Sequence, residues 1–125
     1  MAEQTDYIIK ELEKFTEATM KKLVVEVTAN LIEETPVDTG WARANWVPQI
    51  GAPRLDPVSN PNDITSGPQE RGLADVIVGY KLARGSIYIT NNVPYIGRLN
   101  NGTSIQAPRA FVQSSITKAI QKVVK

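Results

Sequence analysis

The sequence predicts an α+β fold: a long N-terminal helix, a second helix and a C-terminal amphipathic helix packed on a small, mostly antiparallel β-sheet. Three observations predict it. Apolar residues recur at three- and four-residue spacing near both ends of the chain, the mark of helices with one buried face. Between them, Ile87-Tyr88-Ile89-Thr90 alternates with the period of two that a half-buried strand requires. Proline and asparagine then punctuate the rest of the chain into turns and loops. At 125 residues this is one domain, 1–125, large enough to bury a core without staples.

The first helix is expected over residues 5–35. Ile8, Leu12, Phe15, Leu23, Val24, Val27 and Leu31 carry its stripe, with Ala18 and Thr19 continuing it weakly. Thr5 or Asp6 can cap the start, and Pro36 marks the stop. At ~1.5 Å per residue such a helix is roughly 45 Å long. That exceeds what a domain of this size can cover, so part of it is expected to pack on something other than its own core.

In TPVDTGWARANWVPQI, residues 35–50, Asp38 is placed to bond the turn at Thr39 and Gly40 and to cap the short helical turn after it. Trp46 and Ile50 suggest a strand that Pro48 confines to an edge or a bulge. Two tryptophans five residues apart read as core or subunit anchors with a polar tip rather than as a ligand platform. Residues 51–66 follow without apolar periodicity. Four prolines occur from Pro48 to Pro61, both included, and a stretch of this length reads as a surface excursion positioned to touch a neighbour.

Ser66 and Gln69 fit a capping box, with Pro68 in the first turn. Leu73, Val76, Ile77 and Tyr80 then continue a second helix to about Lys81, in competition with a strand over Asp75–Tyr80. Arg84-Gly85 turns into the strand at Ile87. Asn91 and Asn92 stop that strand, Asn92 can cap a turn carrying Tyr95, Ile96 and Leu99, and Gly102 can end it. Pro108 opens the last helix, which places Phe111, Val112, Ser115, Ile116, Ala119, Ile120 and Val123 on one face, with Lys118 and Lys122 off it.

Cysteine and histidine are absent, which removes disulfides, cysteine–histidine zinc sites, thiol nucleophiles and histidine acid–base chemistry. Asp38, Asp56, Asp63, Glu70 and Asp75 are scattered over turns and helix starts, and no phosphate loop or nucleophile elbow is present. No metal, cofactor or catalytic residue is expected. The charged N-terminus is no signal peptide, and no apolar run reaches the ~20 residues that span a bilayer, so a soluble cytosolic product is expected.

Net charge is +1, but its distribution is uneven. Residues 1–35 hold eight acids against four lysines, whereas residues 72–125 hold Asp75 against seven bases. The bases Lys81, Arg84, Arg98, Arg109, Lys118 and Lys122 can serve a bipolar subunit that attracts its own kind, or a face turned toward DNA. The bland alternative is a surface whose charges mix on folding.

Two blocks resemble a known family. Thr35-Pro36-Val37-Asp38-Thr39-Gly40, with Arg43 and Trp46, resembles the TPVDTG-x-L-R-x-S-W segment of tailed-bacteriophage tail-completion proteins, the lambda-like minor tail protein Z type. Ile87 to Tyr95, with Asn91, Asn92 and Pro94, then Leu99, Gly102, Ser104, Ala107 and Pro108, resembles the second block of that family. Ala42 replaces a usual leucine, and Asn100 stands where glutamate is common. The resemblance implies a non-enzymatic virion protein of the neck, assembled in the host cytoplasm, that terminates the tail tube and joins tail to head as a ring, commonly a hexamer. Its partners would be itself, tail-tube and connector proteins, and genomic DNA in the channel through non-specific contact; no membrane is implied. Residues 51–66 would then touch an adjacent ring or subunit. The alternative is a nucleic-acid-binding module using the basic C-terminal half.

Overall fold

The computed structural model describes residues 2–36, 40–101 and 110–124. The longest element, α1, spans Ala2–Glu34. It is followed by the single turn α2 (Trp41–Ala44), strand β1 (Val47–Ile50) and helix α3 (Gly67–Gly79). A 3-10 turn at Leu82–Arg84 leads to β2 (Ile87–Thr90), the short α4 (Ile96–Asn100) and the C-terminal α5 (Phe111–Val124). The architecture is α+β.

The two strands form an antiparallel ribbon in which Val47 faces Thr90, Pro48 faces Ile89 and Ile50 faces Ile87. A lone ribbon is marginal in water, and helices cover this one. α3 lies against β1, at a distance only glycine permits: a Cβ at Gly72 would sit 2.1 Å from the Pro48 carbonyl oxygen. Pro48 has no N–H to leave unpaired beneath that helix. Ile87 and Ile89 turn inward while Tyr88 is exposed, as the alternation requires.

The core has two lobes along the buried face of α1, with Ile89 packed against both. Val27 and Leu31 pack with Trp46, Phe111 and Ala119, bringing α5 against α1. Val24 packs with Val76 and Tyr80 of the α3 segment, over Ile50 and Ile87 from the ribbon. α5 runs antiparallel to α1, since Lys118 pairs with Glu34 while Lys122 pairs with Glu26.

Three expectations are corrected. Ser66 makes no capping bond to the helix backbone and instead donates to Glu70 Oε1 at 3.1 Å. Its supposed partner Gln69 turns inward, where its amide nitrogen donates to the carbonyls of Arg43 and Trp46, both at 2.9 Å. Two buried carbonyls without a partner would cost more than an exposed cap returns. Asn92 does not cap α4; Tyr95 holds that position, and Asn92 donates to the Arg54 carbonyl at 2.8 Å. The apolar face expected on α5 divides: Phe111, Ser115 and Ala119 are buried, while Ile116 and Ile120 are exposed.

Candidate assembly surface

The described residues of the two motif blocks meet in one corner. α1 ends at Glu34, and Arg43 reaches back to its orphan carbonyls. Nε donates to Thr35 O at 2.6 Å and Nη2 to Glu33 O at 3.0 Å. A guanidinium fork at a helix C-terminus satisfies unpaired acceptors and opposes the negative end of the dipole. Trp46, 5% exposed, donates its indole N–H to Thr35 Oγ1 at 2.8 Å. Pro36 is half-buried beside them, and Gly40 takes a left-handed φ of 74° ahead of α2.

The second block closes on the first. Asn91 donates to the carbonyl of Ala42 at 2.8 Å, and its own Oδ1 accepts the Val93 N–H at 3.1 Å. Tyr95 meets Trp41 edge to face, ring centres 6.1 Å apart. Leu99 and Ile96 pack on the Trp46–Phe111 lobe, while Pro94 is exposed. Asn100 Oδ1 accepts the Val112 N–H at 2.9 Å, so the residue in the glutamate position helps cap α5. Asp38, Thr39, Gly102, Pro108 and Arg109 lie outside the described residues.

Two organising residues are not read in these roles from the sequence. Gln69 is one. The other is Asn45, 2% exposed, whose Nδ2 donates to Trp41 O at 2.7 Å and whose Oδ1 accepts the Val58 N–H at 2.5 Å. Trp41 Nε1 adds a bond to Val58 O at 3.0 Å. Asn45, Trp41 and Asn92 thus tie the 51–66 segment to the corner, with Val58 buried and Leu55 outward. Asn45 is unmarked in the local sequence and Gln69 is marked only as a cap, because their partners are main-chain groups supplied by distant segments.

Four of the described basic residues of the C-terminal half are paired with acids of their own subunit. Arg84 makes a two-pronged bond to Asp75, both at 3.0 Å, and also donates to Gly79 O at 3.1 Å, closing the end of α3. Lys81 pairs with Glu17 at 3.9 Å, Lys118 with Glu34 at 2.7 Å and Lys122 with Glu26 at 3.2 Å. Arg98 is exposed on α4. The acids of α1 and the bases of the C-terminal half therefore mix within one subunit.

The surface that α1 leaves uncovered is apolar. Every described residue from Ala2 to Thr16 is exposed, including Tyr7, Ile8, Ile9, Leu12 and Phe15. This stretch is roughly 22 Å of helix at ~1.5 Å per residue. At about 100° per residue, the Ile8–Leu12–Phe15 stripe lies roughly 140° around α1 from the buried Val24–Val27–Thr28–Leu31 stripe. The single stripe expected from the spacing is in fact two, facing different ways. The overhang would not meet its own core even if that core were taller.

Among the described residues, no acidic cluster is arranged to hold a metal ion and no helix is long and apolar enough to cross a membrane. No protein-family model, curated protein or solved structure matches this chain.

Proposed function

We propose that this chain is a structural virion protein of the tailed-phage neck or tail. It completes or terminates the tail tube and joins tail to head as a ring, probed first as a hexamer, and works by assembly rather than catalysis. The observation that carries the assembly reading is the N-terminal half of α1. Five large apolar side chains stand on it in solvent, and three of them, Ile8, Leu12 and Phe15, form one stripe with no core behind it. Water disfavours such a surface by about 25 cal/mol per Å², and contiguous patches of this kind mark interaction sites.

The resemblance of the two motif blocks narrows assembly to the phage neck, and their meeting in one corner supports reading them together. The corner's residues satisfy main-chain groups and shape the chain around Thr35, Ala42 and Val58. Tail-tube and connector proteins are the further partners of this proposal, with DNA in the channel touched non-specifically. A dedicated nucleic-acid module has less support, because Lys81, Arg84, Lys118 and Lys122 already pair with acids of their own subunit.

The test is electron microscopy of the purified protein alone and with tail tubes. Rings that cap tube ends are expected. A strict monomer that never caps a tube would sink the reading. Duplex binding that falls steeply with salt, in the absence of rings, would favour the nucleic-acid alternative.

A further inference from the structure

The overhang of α1 needs an occupant, and a second exposed apolar stripe is present elsewhere on the subunit. Ile116, Ile120 and Val124 recur every four residues along α5 and are all exposed. They lie beside the buried Phe111–Ser115–Ala119 face. Lys118 and Lys122 sit on the other side of α5, engaged with Glu34 and Glu26. The stripe is therefore free of charge, bordered by Gln113, Thr117 and Gln121.

The two stripes match in length. Ile8 to Phe15 spans roughly 11 Å and Ile116 to Val124 roughly 12 Å at ~1.5 Å per residue. They cannot meet within one subunit. Because α5 runs antiparallel to α1 with Lys122 at Glu26, its last described turn is level with the Val24 region and stops well short of Phe15.

Charge selects between two ways of pairing copies. Residues 2–17 carry five acids against two lysines, so overhang against overhang would juxtapose two negative helices. α5 carries two lysines and no acid. Like charges brought together disfavour the first pairing, whereas the α5 stripe, whose lysines face away and pair with Glu34 and Glu26, offers the negative overhang an uncharged apolar surface without repulsion.

We infer that the Ile8–Leu12–Phe15 stripe of one copy lies along the Ile116–Ile120–Val124 stripe of a second copy. This contact joins two different patches, so each subunit offers one of each, and repetition closes a ring or extends a filament. The inference rests on the ring reading above and supplies the contact that reading leaves open.

The absence of cysteine makes a clean test possible. Full-length Leu12→Cys and Ile120→Cys proteins would be mixed, allowed to assemble and oxidised. Cross-linked dimers are expected in the mixture and not in either protein alone. Phe15→Glu and Ile120→Lys, each checked for an unchanged circular dichroism spectrum, are expected to weaken self-association at least about tenfold. Rings that form without a Leu12–Ile120 cross-link would overturn this contact and leave the ring reading intact. Cross-linking of Leu12→Cys to itself would overturn it in favour of paired overhangs. A monomer at every concentration would overturn both readings.

Discussion

The indole N–H of Trp46 donates to the hydroxyl of Thr35, which donates in turn to the carbonyl of Leu31 in the last turn of α1. All three groups are buried, so the short chain of bonds couples the end of the long helix to the start of the sheet. Thr35→Val keeps the shape of the side chain and leaves the indole donor buried without an acceptor. A loss of about 1–3 kcal/mol is expected, against less than about 1 kcal/mol for Thr35→Ser. Urea midpoints measure both. In a double-mutant cycle, adding Trp46→Phe to Thr35→Val should cost less than the sum of the single losses, because the orphan donor is then gone.

Asn45 holds the 51–66 segment by bonds to the main chain of Val58. Asn45→Ala removes the acceptor of a buried N–H, with an expected loss of about 1–3 kcal/mol. Limited proteolysis distinguishes a local from a global effect. Cleavage within 51–66 should accelerate while the helical circular dichroism stays native. Uniform loss of structure at the same rate would show that the segment and the core unfold as one unit.

The contact between α3 and β1 depends on Gly72. An alanine there places its Cβ 2.1 Å from the Pro48 carbonyl oxygen, a backbone atom that cannot rotate away. The helix must shift, and a cost of about 1–3 kcal/mol or more is expected. Gly97 is the internal control. It sits in α4 with open space where a Cβ would stand, so Gly97→Ala should stabilise by about 0.4–1 kcal/mol. Opposite signs in denaturant midpoint are the expected result.

The elements legible in the sequence are those whose signal is local and repeated. The alternation at Ile87–Thr90 and the apolar recurrence of α1 and α5 reflect each segment's own period, and the structure places helices and a strand there. α3 is a helix rather than the competing strand, but the capping box that decides it from the sequence does not form: Pro68 lies in the first turn, while Ser66 makes no cap bond and Gln69 turns inward. What sequence reading misses is where side-chain partners are distant. Gln69 and Asn92 both look like local caps, yet each serves carbonyls more than twenty residues away. The split of the α1 stripe is present in the spacing, but only counting phase at about 100° per residue separates Ile8–Phe15 from Val24–Leu31. Of the candidate site, the motifs single out Arg43, Trp46, Asn91 and Tyr95, which the structure brings together, but not Asn45 or the inward role of Gln69. The α5 stripe is not legible, because its spacing merges Ile116 and Ile120 with the buried residues beside them.

The Asp75–Arg84 pair gives a pH signature. Hydrogen bonds from the Arg84 guanidinium, opposed by desolvation and aided to a lesser extent by its charge, hold the Asp75 carboxyl below its ordinary value of 3.8. A carboxyl with a depressed folded pKa stabilises the fold above its unfolded pKa, and that contribution fades as pH falls through the folded value. The stability difference between the native chain and Asp75→Asn should therefore be constant above about pH 5 and shrink below about pH 4. The pair is exposed, so the difference should be small and should decrease with added salt. Arg84 is raised by the same bonds and stays charged throughout this range. A difference independent of pH would show that the pair acts through the Gly79 cap alone.

Where α1 meets α5, the hydroxyls Thr28 Oγ1 and Ser115 Oγ are buried without a bonding partner. Both residues are fully buried, while the Ser115 carbonyl next to them accepts from Asn30 Nδ2 at 3.2 Å. An unpaired buried hydroxyl costs about 1–3 kcal/mol; valine replaces the threonine hydroxyl with a methyl of the same shape, whereas alanine deletes the serine hydroxyl and leaves a void of about one atom that offsets part of the gain. Thr28→Val and Ser115→Ala should each raise the urea midpoint, by up to about 1 kcal/mol after the loss of any residual contacts. The Asn30 bond uses main chain and survives both changes. Thermal melts of the two single variants and the double variant measure the gain. If either variant melts lower than the parent, its hydroxyl is bonded in solution, and the α1–α5 seam is wetter than the packing of Thr28 and Ser115 indicates.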